Sequence, residues 1–178
     1  DGTAIAEIPV SAGRLGINYA DRDYLIAALK QGKSTIGRPH VSKSRGFPEF
    51  VMAVPIRNTR GLVIGALSGV IDLGSPNFLD KITGNAYGKT GGYLLVARQH
   101  RVIVTATNRN RIMEATPAPG ISPLIDSYIQ GRESSDILVN PLGIEVLQST
   151  KSVPAADWYV AAQLPTEEAF APIRAMQQ

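Results

Sequence analysis

The side chains best suited to chemistry in this sequence are cationic and lie in its first half. Arg38 and His40 flank Pro39 in a predicted loop, and a loop-borne arginine and histidine can hold a carboxylate through charge-assisted hydrogen bonds. The segment Lys30–Arg60 contains seven basic residues and one acid, Glu49. This charge favours either a solvated loop or an anion-attracting mouth over a pocket, and the sequence leaves both interpretations open.

Arg22 stands at the predicted N-terminus of a helix, where a positive charge is unfavourable for the helix dipole. Two acids flank it, Asp21 and Asp23, and either a local ion pair with them or an anionic ligand would offset the charge. Asp72 poses a similar question, since it ends an otherwise apolar predicted strand and a buried carboxylate needs a partner. It could hold the amine of a ligand or cap the turn that begins at Ser75.

Signatures of catalysis are missing from the sequence. The stretch Gly84–Thr90 resembles a phosphate-binding loop, but it has three residues rather than four before its Gly-Lys pair, and an apolar strand follows where a helix is required. The chain has no cysteine and two histidines, which excludes disulfides, thiol chemistry and cysteine-based metal sites. We therefore expect no enzyme activity in this chain, no cofactor and no metal.

The composition is that of an ordinary globular protein. The chain has 178 residues, of which 44% are hydrophobic and 19% charged, and its net charge is +3. No cluster of Lys and Arg resembles a nucleic-acid footprint, so we expect no nucleic-acid partner. No apolar stretch approaches the roughly 20 residues that cross a bilayer. The length allows one medium domain or two small ones.

The elements of the first half predict a small α+β unit. An apolar run, Ile5–Val10, has β character. A helix is expected from about Arg22 to Gln31, with Asp21 as its cap and Gly32 as its end. Two strands joined by a turn at Asn58 to Gly61 follow, and then a short helix. The predicted strands are Glu49–Pro55 and Leu62–Leu73, and the short helix is Pro76–Ile82.

The second half repeats this plan without repeating the sequence. A glycine-rich stretch, 84–92, marks the boundary between the two units. Trp158 and Tyr159 are predicted to be core residues, and Thr166 to cap a last helix. We predict subdomains at residues 1–83 and 84–165 and a C-terminal helix at 166–178. The predicted strands of the second unit are 93–97, 101–107, 145–150 and 158–164, with a helix at 124–130.

Several of these segments, in this order and spacing, resemble a double Cache (tandem PAS-like) sensor domain over nearly the whole chain. Gly88–Tyr93 is similar to the entry into the membrane-proximal half of such domains, and Trp158–Pro165 to its closing strand. The segments that resemble the membrane-distal half are Asn18–Leu25, Gly37–His40, Ala53–Ile56 with Gly61 and Gly65, and Ile71–Leu73.

The resemblance implies an α+β fold with two PAS-like subdomains, each a central antiparallel sheet flanked by helices. The long N-terminal helix of such domains, and the first strand after it, are expected to be missing from this chain. The family implies a periplasmic sensor between two transmembrane helices of an inner-membrane receptor. A homodimer formed through the flanking helices is a further expectation for the full-length protein. The ending Leu164–Ile173 looks most like those attached to diguanylate cyclases.

Ligands of this family usually bind the distal half, and the resemblance assigns roles to residues there. Arg22 matches the arginine that binds a ligand carboxylate, Tyr24 an aromatic position, His40 a tyrosine of amino-acid binders, and Asp72 the acid that grips a ligand amine. The Arg-x-Trp-Tyr signature of amino-acid binders is replaced here by Arg22–Leu25, so the expected ligand is a carboxylate, an amino acid or an amine. The predicted site is completed by Tyr19, Arg38 and Met52.

Two functions remain open on the sequence. In the first, the distal unit binds a small polar molecule through Arg22 and its neighbours and relays the event to a cytoplasmic output. In the second, the chain is a structural, dimerisation or protein-interaction module. Arg22 and Asp72 would then be satisfied within the protein.

Overall fold

A computed structural model describes residues 1–10 and 13–176 of the chain. The chain divides into two compact units, Asp1–Asn77 and Phe78–Gln178. Each contains one antiparallel sheet, of four strands in the first unit and five in the second. The expected α+β class with antiparallel sheets is therefore confirmed. The last two positions of the predicted C-terminal helix, 177–178, lie outside the described residues.

The sheet of the first unit is built around one long central strand. Strand β3 pairs along one side with β4, and along the other with two short strands, β1 and β2, that follow each other in the chain. The predicted hairpin is confirmed, while β2 lies in a segment that the sequence predicts to be a loop. The bounds are Thr35–Ile36 for β1, His40–Val41 for β2, Pro48–Arg57 for β3 and Val63–Asp72 for β4.

Helix α1, Asp23–Gln31, packs against this sheet. Its apolar residues recur at helical spacing, and Leu25 and Ala28 are buried against Val51 and Ala53 of β3. The helix ends as predicted at Gly32, whose φ of 63° lies in the left-handed region that glycine adopts without strain.

The register of the sheet decides which side chains face α1. Residues opposite each other in antiparallel strands point to the same face, and neighbours along a strand to opposite faces. Glu49 of β3 is paired with both His40 and Asp72, and it lies two residues before the core residue Val51. These three polar residues therefore share the face covered by α1, whereas Met52 belongs to the opposite face.

The N-terminal apolar run does not form the strand suggested by its sequence. Only an isolated bridge joins Thr3 to Asn18. Ile5 and Ile8 are 92% and 97% exposed, so the run has no sheet to pack on among the described residues. Pro9 also lacks the N–H that a strand needs for pairing.

The second unit is a five-stranded sheet in the order β6-β5-β9-β8-β7. Its core contains Tyr128 of helix α3 packed on Tyr159, and Trp158 and Tyr159 are buried as predicted. Strand β7 was not predicted, because its inward positions alternate Asp136 with Leu138 and so break the apolar pattern. The bounds are Asp80–Thr83 (α2), Gly92–Ala97 (β5), Val102–Ala106 (β6), Pro123–Ile129 (α3), Ser135–Val139 (β7), Glu145–Val153 (β8) and Trp158–Pro165 (β9).

The C-terminal segment forms two short helices instead of one continuous helix. Helix α4 is Thr166–Ala169 and helix α5 is Ala171–Ala175. Pro172 cannot donate a backbone hydrogen bond to the preceding turn, which explains the break. Thr166 is not a cap, since its hydroxyl donates to Glu145 Oε1 at 2.7 Å. Among the described residues, no helix has both the length and the apolar character to cross a membrane.

Candidate ligand-binding site

Arg22 is a cation without an acidic partner in the described part of the chain. It occupies the N-cap of α1 with an extended backbone. Neither flanking acid is free to pair with it, because Asp21 binds Lys43 Nζ at 2.7 Å and Asp23 accepts two backbone N–H groups. The predicted cap at Asp21 is therefore wrong. The Nε of Arg22 is buried and has no hydrogen-bond partner among the described residues.

Tyr24 and His40 form a stacked pair next to Arg22. Their ring centroids are 6.1 Å apart and the planes differ by 18°. Burial raises the pKa of the Tyr24 hydroxyl well above its ordinary value. The positive charge of Arg22 opposes this rise and the charge of Glu49 adds to it, so both charges lie within electrostatic reach of the hydroxyl.

One ring nitrogen of His40, Nδ1, is hydrogen-bonded to the backbone. Its Nδ1 lies 3.0 Å from the carbonyl oxygen of Arg38. A carbonyl only accepts, so Nδ1 carries a hydrogen and donates it. The other nitrogen, Nε2, is buried 3.2 Å from Glu49 Oε1 but is not in hydrogen-bond geometry with it.

Glu49 is the site residue that the sequence reasoning missed. It is only 3% exposed, and its second oxygen, Oε2, has no hydrogen-bond partner among the described residues. The nearest recorded cation to that oxygen is Arg14 Nη2, at 3.8 Å. Glu49 is the single acid in a strongly basic segment, and it sits in period two with Val51 and Ala53 on a predicted strand. Those two features together are the signal that could have identified it.

Asp72 uses both of its carboxylate oxygens within the turn that follows β4. Its Oδ1 accepts the backbone N–H of Gly74 at 2.7 Å, and its Oδ2 accepts the hydroxyl of Ser75 at 2.8 Å. Of the two roles that the sequence left open, the structure shows the turn cap.

The other predicted site residues are spread over the first unit. Tyr19 packs against the α1 cluster, with Lys43 Nζ 5.8 Å from its ring centroid. Arg38 is exposed, and it is the backbone of this residue that holds His40 and Asp23. Met52 lies on the sheet face opposite to Glu49. The structure therefore brings Tyr19, Arg22, Tyr24, His40 and Glu49 to one face and leaves Met52 away from it.

The second unit has a packed hydrophobic core around Tyr128. Tyr128 is fully buried, and its hydroxyl donates to Asp136 Oδ2 at 3.0 Å. Desolvation in this packed interior, with the Asp136 charge adding to it, raises the pKa of Tyr128 above its ordinary value. No group of three or more acidic or histidine side chains suited to a metal ion occurs in residues 1–10 and 13–176. The unpaired polar groups described above therefore make the first unit the candidate site.

A separate shallow groove in the first unit is mostly apolar and contains none of the predicted site residues. It is lined by Asp1, Ala20, Leu25, Ile26, Leu29 and Lys30.

Two antiparallel sheets flanked by short helices, with unpaired polar groups under one helix, define a PAS-like sensor fold. A family model described as "Cache domain" matches residues 1–173, and the chain belongs to this family. No curated protein matches the sequence significantly.

Solved structures similar to this chain are sensor domains of low sequence identity, which show the fold alone. The ligand-binding domain of Mlp24, described with asparagine, aligns with a TM-score of 0.69 at 16% identity, over 98% of this chain and 68% of that one. The periplasmic sensory domain of the Campylobacter jejuni chemoreceptor Tlp1 gives 0.68 at 18%, over 86% and 58%. The Pseudomonas aeruginosa chemoreceptor PctC with GABA gives 0.61 at 20%, over 92% and 70%. The chain thus spans between 58% and 70% of the length of these three.

Proposed function

We propose that this chain is the periplasmic sensor domain of an inner-membrane receptor, with its two units as tandem Cache subdomains. Its first unit binds a small polar molecule that carries a carboxylate. Binding is relayed to a cytoplasmic output domain, and the receptor dimerises through helices that flank the sensor. Family membership and the likeness to chemoreceptor sensor domains support this role.

The observation that carries the proposal is the unpaired guanidinium of Arg22. Arg22 is partly buried, and its buried Nε has no hydrogen-bond acceptor among the described residues. An unpaired buried polar atom is costly, and a carboxylate matches a guanidinium in charge and in hydrogen-bond geometry. The tyrosine–histidine stack beside it offers a flat surface for the rest of a small molecule. Asparagine and GABA, with which two of the similar domains are described, both contain a carboxylate, which supports the same chemical class here.

The alternative, a structural or interaction module, requires both Arg22 and Asp72 to be satisfied inside the protein. Asp72 meets this condition through its turn, but Arg22 does not. The binding module is therefore the better supported of the two. A diguanylate cyclase as the output domain stays a prediction from the sequence, and the likeness to two chemoreceptors does not support it.

Arg22→Ala tests the binding site directly. A thermal-shift screen with amino acids, dicarboxylates, amines and purines first identifies a binder. A hundredfold excess over Kd stabilises the native state by about 2.7 kcal/mol, a shift of a few degrees in Tm. Calorimetric titration of that binder into the variant is then expected to show an affinity at least about tenfold weaker, or about 1.4 kcal/mol.

The matched control is Arg60→Ala, which removes an exposed arginine in the hairpin turn and should leave the affinity unchanged. Equal affinities for wild type and Arg22→Ala, with both proteins folded, would exclude Arg22 from the site. No binder in the screen would favour the interaction module.

A further inference from the structure

Glu49 presents a buried carboxylate oxygen that the described residues leave without a hydrogen bond. Its side chain is 4% exposed, and Oε2 is the unpaired atom. The guanidinium of Arg14 stands 3.8 Å away, which is an ion-pair distance but beyond hydrogen-bond range. Buried carboxylate oxygens normally accept a hydrogen bond. Glu49 Oε2 is therefore an unsatisfied acceptor among the described residues.

Nε2 of His40 is a second buried atom without a hydrogen bond among the described residues, and it lies next to Glu49. Because its Nδ1 hydrogen is given to the Arg38 carbonyl, a neutral ring offers Nε2 as an acceptor. That nitrogen is buried, lies 3.2 Å from Glu49 Oε1, and has no hydrogen bond within the described residues. A group with several hydrogens can donate to both His40 and Glu49, whereas a hydroxyl has one hydrogen and can serve only one of them.

The other acid at this edge of the sheet differs from Glu49 because its carboxylate is already hydrogen-bonded. Asp72 is paired in register with Glu49, but both of its carboxylate oxygens accept hydrogen bonds within its own turn. The unpaired buried atoms of the first unit are thus the Arg22 Nε donor and the acceptors on His40 and Glu49. The ring of Tyr24 stacks on His40, and its hydroxyl lies within electrostatic reach of Arg22 and Glu49.

We propose that Glu49, rather than Asp72, is the acid that contacts the ligand, and that the ligand carries an ammonium group beside its carboxylate. The ammonium donates to Glu49 Oε2 and His40 Nε2 while the carboxylate binds Arg22. This assignment rests on the proposed function, because it specifies the ligand of the same site. It makes Glu49 the residue that distinguishes an amino acid from the acid of the same shape without the amine.

Matched sets of small acids test the assignment. Each set shares one skeleton and differs only in the group next to the carboxylate: alanine, lactate and propionate; aspartate, malate and succinate; leucine, 2-hydroxy-4-methylpentanoate and 4-methylpentanoate. Each compound is titrated calorimetrically into the whole chain as wild type, Glu49→Gln and Asp72→Asn. Glu49→Asp serves as a further variant, since it keeps a carboxylate but draws it back by one methylene. Circular dichroism checks that each variant is folded.

In at least one set, the amino acid should bind wild type at least about tenfold more tightly than the hydroxy acid or the plain acid. Glu49→Gln should reduce that preference to within about twofold, while Asp72→Asn should keep it. Glu49→Asp should weaken the amino acid more than the plain acid. If Glu49→Gln does not fold, the wild-type preference and the Glu49→Asp result still decide.

Three results would overturn the assignment. They are equal affinity of wild type for the amino acid and the plain acid, a preference that Asp72→Asn abolishes and Glu49→Gln keeps, and no binding by any set. If wild type binds a plain acid as tightly as the amino acid, and Arg22→Ala no longer binds that acid, the role of Glu49 is excluded and the proposed function is retained. If no molecule from this or the broader screen binds, both proposals fail.

Discussion

Asp72 and Glu49 are opposite each other in neighbouring strands, yet their carboxylates differ in hydrogen bonding. Asp72 ends β4, where the chain turns, so the nearest donors are the N–H of Gly74 and the hydroxyl of Ser75. Glu49 is near the start of β3 under α1, where its Oε2 has no hydrogen-bond donor among the described residues. The position of each acid along its strand, rather than its charge, determines whether hydrogen-bond donors of the neighbouring turn reach its carboxylate.

Asp72 should therefore contribute to stability. Replacing it with alanine removes two hydrogen bonds to a carboxylate and is expected to lower the free energy of unfolding by about 1–3 kcal/mol. Asp72→Asn keeps one acceptor and should cost less. Urea denaturation followed by circular dichroism measures both. Asp21→Ala is the matched control, because it breaks only an exposed ion pair with Lys43, of the kind that typically contributes about 0–1 kcal/mol. A larger loss in Asp21→Ala than in Asp72→Ala would contradict this account.

At the scale of elements, the start of helix α4 is tied to the loop that precedes β5. Glu168 accepts the backbone N–H groups of Lys89 and Thr90, at 2.7 and 2.9 Å, and the Thr90 hydroxyl at 2.6 Å. Gly88, with a φ of +68°, permits this approach, because a Cβ there would lie 2.5 Å from Glu168 Oε1. One carboxylate thus connects two segments 79 positions apart in the chain.

These bonds, with that from the Thr90 hydroxyl first among them, hold the pKa of Glu168 below its ordinary value of 4.5. Their contribution to stability is complete above pH 4.5 and is lost as the pH falls through the lowered value of the folded protein. Hydrogen exchange of the Lys89 and Thr90 amides at pH 7 should be faster in Glu168→Gln than in wild type. The neighbouring substitution Glu167→Gln should have no effect on these amides. Equal exchange in wild type and Glu168→Gln would show that the carboxylate does not hold the loop.

At the scale of the whole molecule, the two units have the same class of sheet but different interiors. In the first unit, three buried polar atoms under α1 lack partners among the described residues. In the second, the core is formed by Tyr128, Tyr159 and aliphatic side chains, and the hydroxyl of Tyr128 donates to Asp136. Arg98 Nε of the second unit also lacks a hydrogen bond among the described residues, but its guanidinium is paired with Ser152 and Asp157. This difference supports the proposal that the ligand binds in the first unit.

A substitution in the second core should consequently change stability without changing affinity. Tyr128→Phe removes a buried hydroxyl and leaves Asp136 with one donor fewer, so we expect a loss of about 1–2 kcal/mol in urea denaturation. The affinity for the binder identified with wild type should stay within about twofold. A tenfold weaker affinity in folded Tyr128→Phe would indicate that the second unit takes part in binding.

Elements whose signals are local can be predicted from the amino-acid sequence. The helix ending at Gly32, the hairpin around Asn58 to Gly61 and the buried pair Trp158 and Tyr159 follow from turn residues and periodicity, and all three were predicted. Arg22 was recognised for the same reason, because a cation at a helix N-terminus is unfavourable within a single turn. Strand β7 was missed because its inward Asp136 is acceptable only when Tyr128 is packed above it.

The partners of the polar groups, in contrast, are known only from the three-dimensional structure. Lys43 forms an ion pair with Asp21, so Asp21 does not pair with the adjacent Arg22. The register of β3 with β2 places Glu49 beside His40. Asp72 and Glu49 are both single acids in apolar strand patterns, so their neighbours in sequence do not distinguish them. A buried charged group is hydrogen-bonded only if strand pairing and side-chain packing bring a partner within about 3 Å of it. Those distances cannot be obtained from the linear sequence.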